Sequence, residues 1–235
     1  MKRISKLEVS CPDGVVFKKI DFNQDELDKV VKFERAAKIN AAVVYDGNIQ
    51  EENSPELNWK SDRKNADKVE VYAWNTTPFK ILYGFGGYPF TERDSNLNTN
   101  LGFIGQCVVQ VSSFKDALVA FKSSDILTEA EASNVLRASI VEVIKSAIGS
   151  KLSRLHRKDV EEALYKIKNN KDNDGLEKQL KSFFGKKGLD LREFTLSVNF
   201  PADFEERYQE IMQSRADTKN AAKEIEILNK LNDKK

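Results

Sequence analysis

The sequence predicts an α+β fold, with strands dominating the first half and helices the second. Three observations carry this reading. Apolar and polar residues alternate with a period of two in several runs up to about residue 112. From Thr128 the period changes to that of a helix, opened by a Thr128/Glu131 capping box. After the helical block the strand period returns once, from Leu189 to Phe200, and stops at Pro201. Segregation of strands from helices argues against a doubly wound parallel sheet, in which the two would alternate.

Residues 1–37 form an N-terminal extension that is partly strand. Leu7 to Ile20 reads as a short strand, a Pro12-Asp13-Gly14 turn and a second strand through Val15, Val16, Phe17 and Ile20. Asn23 and Glu26 can cap a helix reaching Ala37, whereas Lys29 to Phe33 can equally form a strand, and the residues alone do not decide. Ala41 to Tyr45, Asp46-Gly47 and Asn48 to Glu51 predict a hairpin, because Asp-Gly suits the tight turn whose twist matches that of paired strands. Glu52 to Ala66 is polar without a sustained period and reads as an exposed connection.

Val69 to Trp74 and Phe79 to Phe85 read as strands, separated by a turn at Asn75 to Pro78. Gly86-Gly87, Pro89 and polar Thr91 to Asn100 read as the next connection. A long strand follows through Leu101, Phe103, Cys107, Val109 and Val111, with Gly102 and Gly105 as candidate kink or bulge positions. Ser113 caps a short helix through Phe121 that would bury Phe114, Leu118 and Phe121.

In the main helix Ala132, Val135, Leu136, Ile140, Val143, Ile144, Ala147 and Ile148 share one face, and Gly149 supplies the stop. Two further helices are expected, around Val160 to Ile167 and from Gly175 to Phe184. The strand after them slips its alternation at Arg192-Glu193, which predicts a bulge. Residues 202–235 form the last unit, a helix capped by Asp203 with Glu206 and reaching about Leu231. Phe204, Tyr208, Ile211, Met212, Ala216, Ala222, Ile225 and Leu228 give it a thin, irregular apolar stripe. Such a helix extends ~40 Å at ~1.5 Å per residue, longer than one domain needs. It therefore reads either as a partly docked, solvated helix or as an oligomerisation arm, although four sustained heptads are absent.

A chain of 235 residues with a formal charge of +1 has no general electrostatic reason to bind nucleic acid. Lys151, Arg154, His156, Arg157 and Lys158 form a basic cluster and Lys186-Lys187 a smaller one, but no aromatics interleave, so both read as solvated surface. Met1-Lys2-Arg3-Ile4 is followed by polar residues, so no signal peptide is expected. The longest apolar run, Ala41 to Tyr45, falls far short of the ~20 residues of a spanning helix. Cys11 and Cys107 have no pairing pattern and read as free thiols of a reducing, cytoplasmic compartment.

Catalytic motifs are not found. The single histidine, His156, has no acidic or cysteine partner at ligand spacing, so neither triad chemistry nor a Cys/His metal site is expected. Asn170, Asp172, Asp174 and Gly175 imitate half of a calcium loop, but Lys181 occupies the position of its bidentate glutamate. Gly84 to Gly87 resembles a phosphate loop only until Pro89, where a third glycine belongs. No catalytic residue, cofactor or metal is therefore assigned.

The segment from Glu34 to Glu210 resembles the SPFH or band 7 family of stomatins, prohibitins, flotillins and the HflK/HflC pair, and within it the soluble branch labelled virion core proteins. The resemblance is carried by Ala42-Val43-Val44-Tyr45-Asp46-Gly47, Val69-Glu70-Val71-Tyr72 and Ile104 to Val111 running into Ser113 to Phe121. Its last part is the helical block, then Gly188-Leu189-Asp190-Leu191 through Phe200-Pro201 and a long helix. It implies that residues 38–201 are an SPFH-like domain without an active site, which self-associates laterally and organises membranes or protein partners. Unlike the family pattern, these residues are expected to hold no N-terminal membrane segment, no long coiled coil and no zinc ribbon.

The expected function is thus a non-enzymatic scaffold that forms homo-oligomers and binds proteins, with peripheral membrane contact and no nucleic acid. Phe204, Tyr208, Ile211, Met212, Ile225 and Leu228 are the candidate self-association residues. Two alternatives stand beside it, a monomeric adaptor for one protein client and an enzyme using only carboxylates around Ser61 to Glu70.

Overall fold

The computed structural model describes residues 5–21, 30–45, 48–52, 69–121, 125–169 and 175–232. The expected α+β segregation holds. Strands β1 (Ser5–Val9), β2 (Val15–Ile20), β3 (Val30–Arg35), β4 (Ile39–Tyr45), β5 (Asn48–Glu52), β6 (Val69–Asn75), β7 (Phe79–Thr91) and β8 (Asn98–Val111) precede helix α1 (Phe114–Ala120). Then come β9 (Ile126–Thr128), α2 (Glu129–Ile148), a 3-10 turn (Arg157–Asp159), α3 (Val160–Asn169), α4 (Leu176–Gly185), β10 (Leu189–Asn199) and α5 (Ala202–Asn232).

The strands form a five-stranded antiparallel sheet, ordered β5-β4-β6-β2-β9, and a three-stranded antiparallel sheet, ordered β10-β8-β7. A parallel pair, β1-β3, forms a separate two-stranded sheet. For residues 30–35 the strand alternative is therefore the observed one. The Asp46-Gly47 turn lies outside the described residues; the strands on either side of it, β4 and β5, pair antiparallel with Tyr45 opposite Asn48.

The run from Ala41 to Val44 is continuously apolar because the larger sheet is covered on both sides. Ala42 and Val44 join the main core, whereas Ala41 and Val43 join a second cluster with Val9, Ile20, Ile39 and Val71. Where the sheets and helices meet, Phe114 is fully buried and stacks on Trp74 with ring centroids 4.9 Å apart. The rings of Phe17 and Tyr72 close around it at 5.6 and 5.4 Å. Emptying such a site costs about 3–5 kcal/mol when Phe becomes Ala, so the short helix α1 is held by its anchor more than by its own length.

The Thr128/Glu131 capping box forms in both directions, and α2 buries Ala132, Leu136, Ile140, Ile144, Ala147 and Ile148 as its spacing requires. Val135 is an exception, at 59% exposed, because α2 crosses the sheet with a narrower stripe that takes in Ser133 instead. In α1 the buried residues are Phe114 and Ala117, with Leu118 and Phe121 only partly covered.

Two strand boundaries depart from expectation. β7 runs through Gly84 to Pro89 without turning, absorbing a register shift between Phe85 and Tyr88, and the turn comes at 92–97. Gly87 takes φ +76 there, and Pro89 is tolerated because β7 is an edge strand. In β8, Gly102 lies opposite the two bulged residues of β7, Gly86 and Gly87, whereas Gly105 marks no register shift; the other shift falls between Leu191 and Glu193 in β10, as the slipped alternation predicted. A Cβ on Gly105 would overlap the Thr195 carbonyl oxygen and the Tyr83 ring, so this glycine permits a close approach.

The last helix begins two residues early. α5 starts at Ala202, with Phe204 and Glu205 donating to the Pro201 carbonyl at 3.1 and 3.2 Å, so Asp203 lies in the first turn and does not cap it. Its carboxylate still faces the positive end of the helix dipole.

Candidate functional site

The functional surface expected from the sequence is the stripe on α5, so the root of that helix is where any use of it is set. The β7–β8 turn forms the base. Glu92 donates its N–H to Leu97 (2.8 Å), and Asn96, which adopts φ 57, donates to the Glu92 carbonyl (2.9 Å). The loop after α2 lies along this turn, with Thr91 N–H bonded to Ser153 O at 2.9 Å and Arg93 N–H to Leu155 O at 3.0 Å.

The Glu92 side chain lies at the centre and is buried. Its Oε2 accepts from Asp94 N–H (2.9 Å), Ser95 N–H (2.6 Å) and Ser95 Oγ (2.8 Å), and its Oε1 accepts from Arg157 N–H at 3.3 Å. Burial alone would raise the pKa of this carboxyl. The donors from Ser95, Arg157 and Asp94 outweigh it and hold the group below its ordinary value. A buried carboxylate is tolerated here because its oxygens face N–H and O–H donors.

Arg157 joins this turn to α5. Its Nε donates to Glu205 Oε1 at 2.7 Å, its Nη1 lies 3.7 Å from Glu161, and its guanidinium rests 3.9 Å from the Phe200 ring centroid. Beneath it Phe90, Phe200 and Phe204 pack at 5.4 to 5.9 Å, and Tyr208 stacks on Phe204 at 6.0 Å. Further out, Arg215 Nη2 donates to the Asp94 carbonyl at 3.0 Å.

Two readings of the sequence change here. His156 does have acidic company, since its Nδ1 is 3.0 Å from Asp94 and 3.9 Å from Glu92, both more than sixty positions earlier. Nor do residues 151–158 form one basic face. Lys151 Nζ caps the Ala147 carbonyl at 3.0 Å, Arg157 is ion-paired and His156 faces Asp94. Ligand atoms of Glu92, Asp94 and His156 lie within 4.8 Å of one another. Glu92 already accepts from protein donors at both oxygens, however, so the donor set suits a turn clasp better than a metal centre.

The candidate self-association residues divide along α5. Phe204 is buried and Tyr208 and Ile211 half-buried, so Phe204 serves this chain's own core. Met212 and Ile225 are exposed, at 38% and 59%, and the Leu228 side chain lies outside the described residues. Except for Ile211, every residue from Gln209 to Glu226 is exposed.

Of the stretch considered for carboxylate chemistry, only Val69 and Glu70 are described, and Glu70 is bonded to Lys19 (2.5 Å) and the Tyr72 hydroxyl (3.1 Å). The half calcium loop, apart from Gly175, also lies outside the described residues. Glu92 and Arg157 could not be recognised from spacing, because their partners are distant in sequence. The only local signal is a carboxylate placed two and three residues before the N–H groups of Asp94 and Ser95. No family model and no curated protein matches the chain. Among the described residues no helix is long and apolar enough to cross a membrane.

Proposed function

We propose that the chain is a non-enzymatic scaffold of the SPFH or band 7 type, which self-associates through the outer length of α5 and thereby gathers protein partners. The observation that supports this is a helix of 31 residues fastened firmly at its root and exposed from Met212 to Glu226. A helix polar on nearly every face gains little from its own hydrogen bonds in water, since most helical stability comes from packing. The clasp of Glu92, Arg157 and Phe204 sets the direction in which that helix leaves the domain, a requirement for an assembling arm. Any contact with a membrane would be peripheral.

Sedimentation of the full chain against a chain ending at Ala216 tests this, because that cut retains Phe204, Tyr208 and Arg215. The full chain is expected to gain mass with concentration and the shortened one to remain a monomer. Monomeric behaviour of both over a wide concentration range would remove the self-association claim. The monomeric adaptor would then stand, supported by Leu82 and Ile104, which are 61% and 60% exposed on the outer face of the smaller sheet.

A further inference from the structure

β10 pairs with β8 on one side, and among the described residues no strand lies against its other edge. The bulge at Arg192 disturbs the first part of that edge, leaving Phe194 to Asn199 as its regular part. Helix α3 runs antiparallel beside it, as two contacts establish. Lys168 Nζ is 5.6 Å from the Phe194 ring near the end of α3, while Arg157, just before α3, sits on Phe200. Between helix and edge lies a groove of about 340 Å³, lined by Glu161, Leu164, Tyr165 and Lys168 from α3 and by Leu196, Ser197 and Val198 from β10.

We infer that this groove takes an extended peptide segment of a protein partner, added to the sheet as a further strand against β10. A helix could not use the site in this way, because its own N–H and C=O groups are already paired. An extended segment supplies donors and acceptors along its length and sets alternate side chains into the groove. Leu196 and Val198 are half-buried and Tyr165 is 67% exposed, so apolar side chains at every second position find partners there.

Charge sets the rest of the preference. At the Phe200 end Arg157 is matched by Glu161 and Glu205, whereas Lys168 at the Phe194 end makes no ion pair among the described residues. The segment therefore alternates apolar and polar residues and carries an acidic side chain near Lys168. The site lies on α3 and β10 and is independent of how α5 is used.

The test uses the full chain and a random dodecapeptide display library as probe. Enriched peptides are expected to show the alternating pattern with an acidic residue, and to shift backbone amide resonances at 161–168 and 194–198. Methylating alternate peptide nitrogens in one register should weaken binding on the order of tenfold, and in the other register hardly at all. Lys168→Glu should invert the preference toward basic peptides. Failure to enrich any peptide, binding elsewhere on the chain, or equal response to both methylation registers would overturn the inference. So would amide shifts at 194–198 that grow with protein concentration without peptide, which would assign the groove to a second copy.

Discussion

Arg157 donates from Nε to Glu205 Oε1 at 2.7 Å while its guanidinium plane covers the Phe200 ring, linking the end of the loop after α2 to the first turn of α5. Replacing Arg157 by Ala removes both contacts from a half-buried position, with an expected loss of about 1–2 kcal/mol. Lysine keeps the charge but lacks the planar fork, so Arg157→Lys should recover less than half of the loss. Thermal melts give the size of the effect. Faster hydrogen exchange at the start of α5, with no change in the β4–β6 strands, would locate it.

Glu92 predicts an acid-sensitive turn. Its folded pKa lies below the ordinary carboxyl value of 4.5, so the stability it contributes is complete above that value and is lost as pH falls through the folded one. Glu92→Gln sets an amide NH2 among donors, with an expected cost of about 2 kcal/mol at pH 7. Urea unfolding of both proteins should show that difference shrinking as pH is lowered from about 5 to about 3. A gap that stays constant across this range would mean that Glu92 does not act through its charge.

The Tyr83 hydroxyl donates to the Thr195 carbonyl across the space that Gly105 leaves open. Burial pushes the pKa of Tyr83 upward, so it stays a donor through the neutral range. Gly105→Ala should destabilise by about 1–3 kcal/mol through overpacking, and Tyr83→Phe by about 1 kcal/mol through the orphaned carbonyl. The pair should be non-additive by more than about 0.5 kcal/mol, since removing the hydroxyl relieves part of the overlap. Strict additivity in equilibrium unfolding would argue that the two residues do not meet.

Both thiols should be inert in the folded chain. Burial pushes Cys11 up to about 11 and Cys107 up to about 12, and both side chains are buried. With a chromogenic disulfide reagent at pH 8, labelling is expected only on adding denaturant. Rapid reaction of either thiol without denaturant would contradict the packing around β2 and β8.

What could be read in advance was local. The capping box at Thr128, the bulge in β10, the anchor Phe114 and the change of period near residue 112 each depend on neighbours within a few positions. Val135 and Gly105 were misjudged because burial and close approach depend on which surface meets them, and periodicity carries no such information. The long run of β7 through Gly84 to Pro89 was hidden for a similar reason, since whether glycines turn a chain or bulge a strand depends on the strand opposite.

The sequence by itself determined the α+β class, the order of most elements and the long terminal helix, because hydrophobic period and capping act over one or two turns. Only the tertiary structure decided that Glu92, His156, Arg157 and Glu205 meet at the root of that helix, and that β10 presents an edge beside α3. Those relationships join residues tens of positions apart, and the energy that joins them arises only when burial excludes water and leaves each polar group needing a partner.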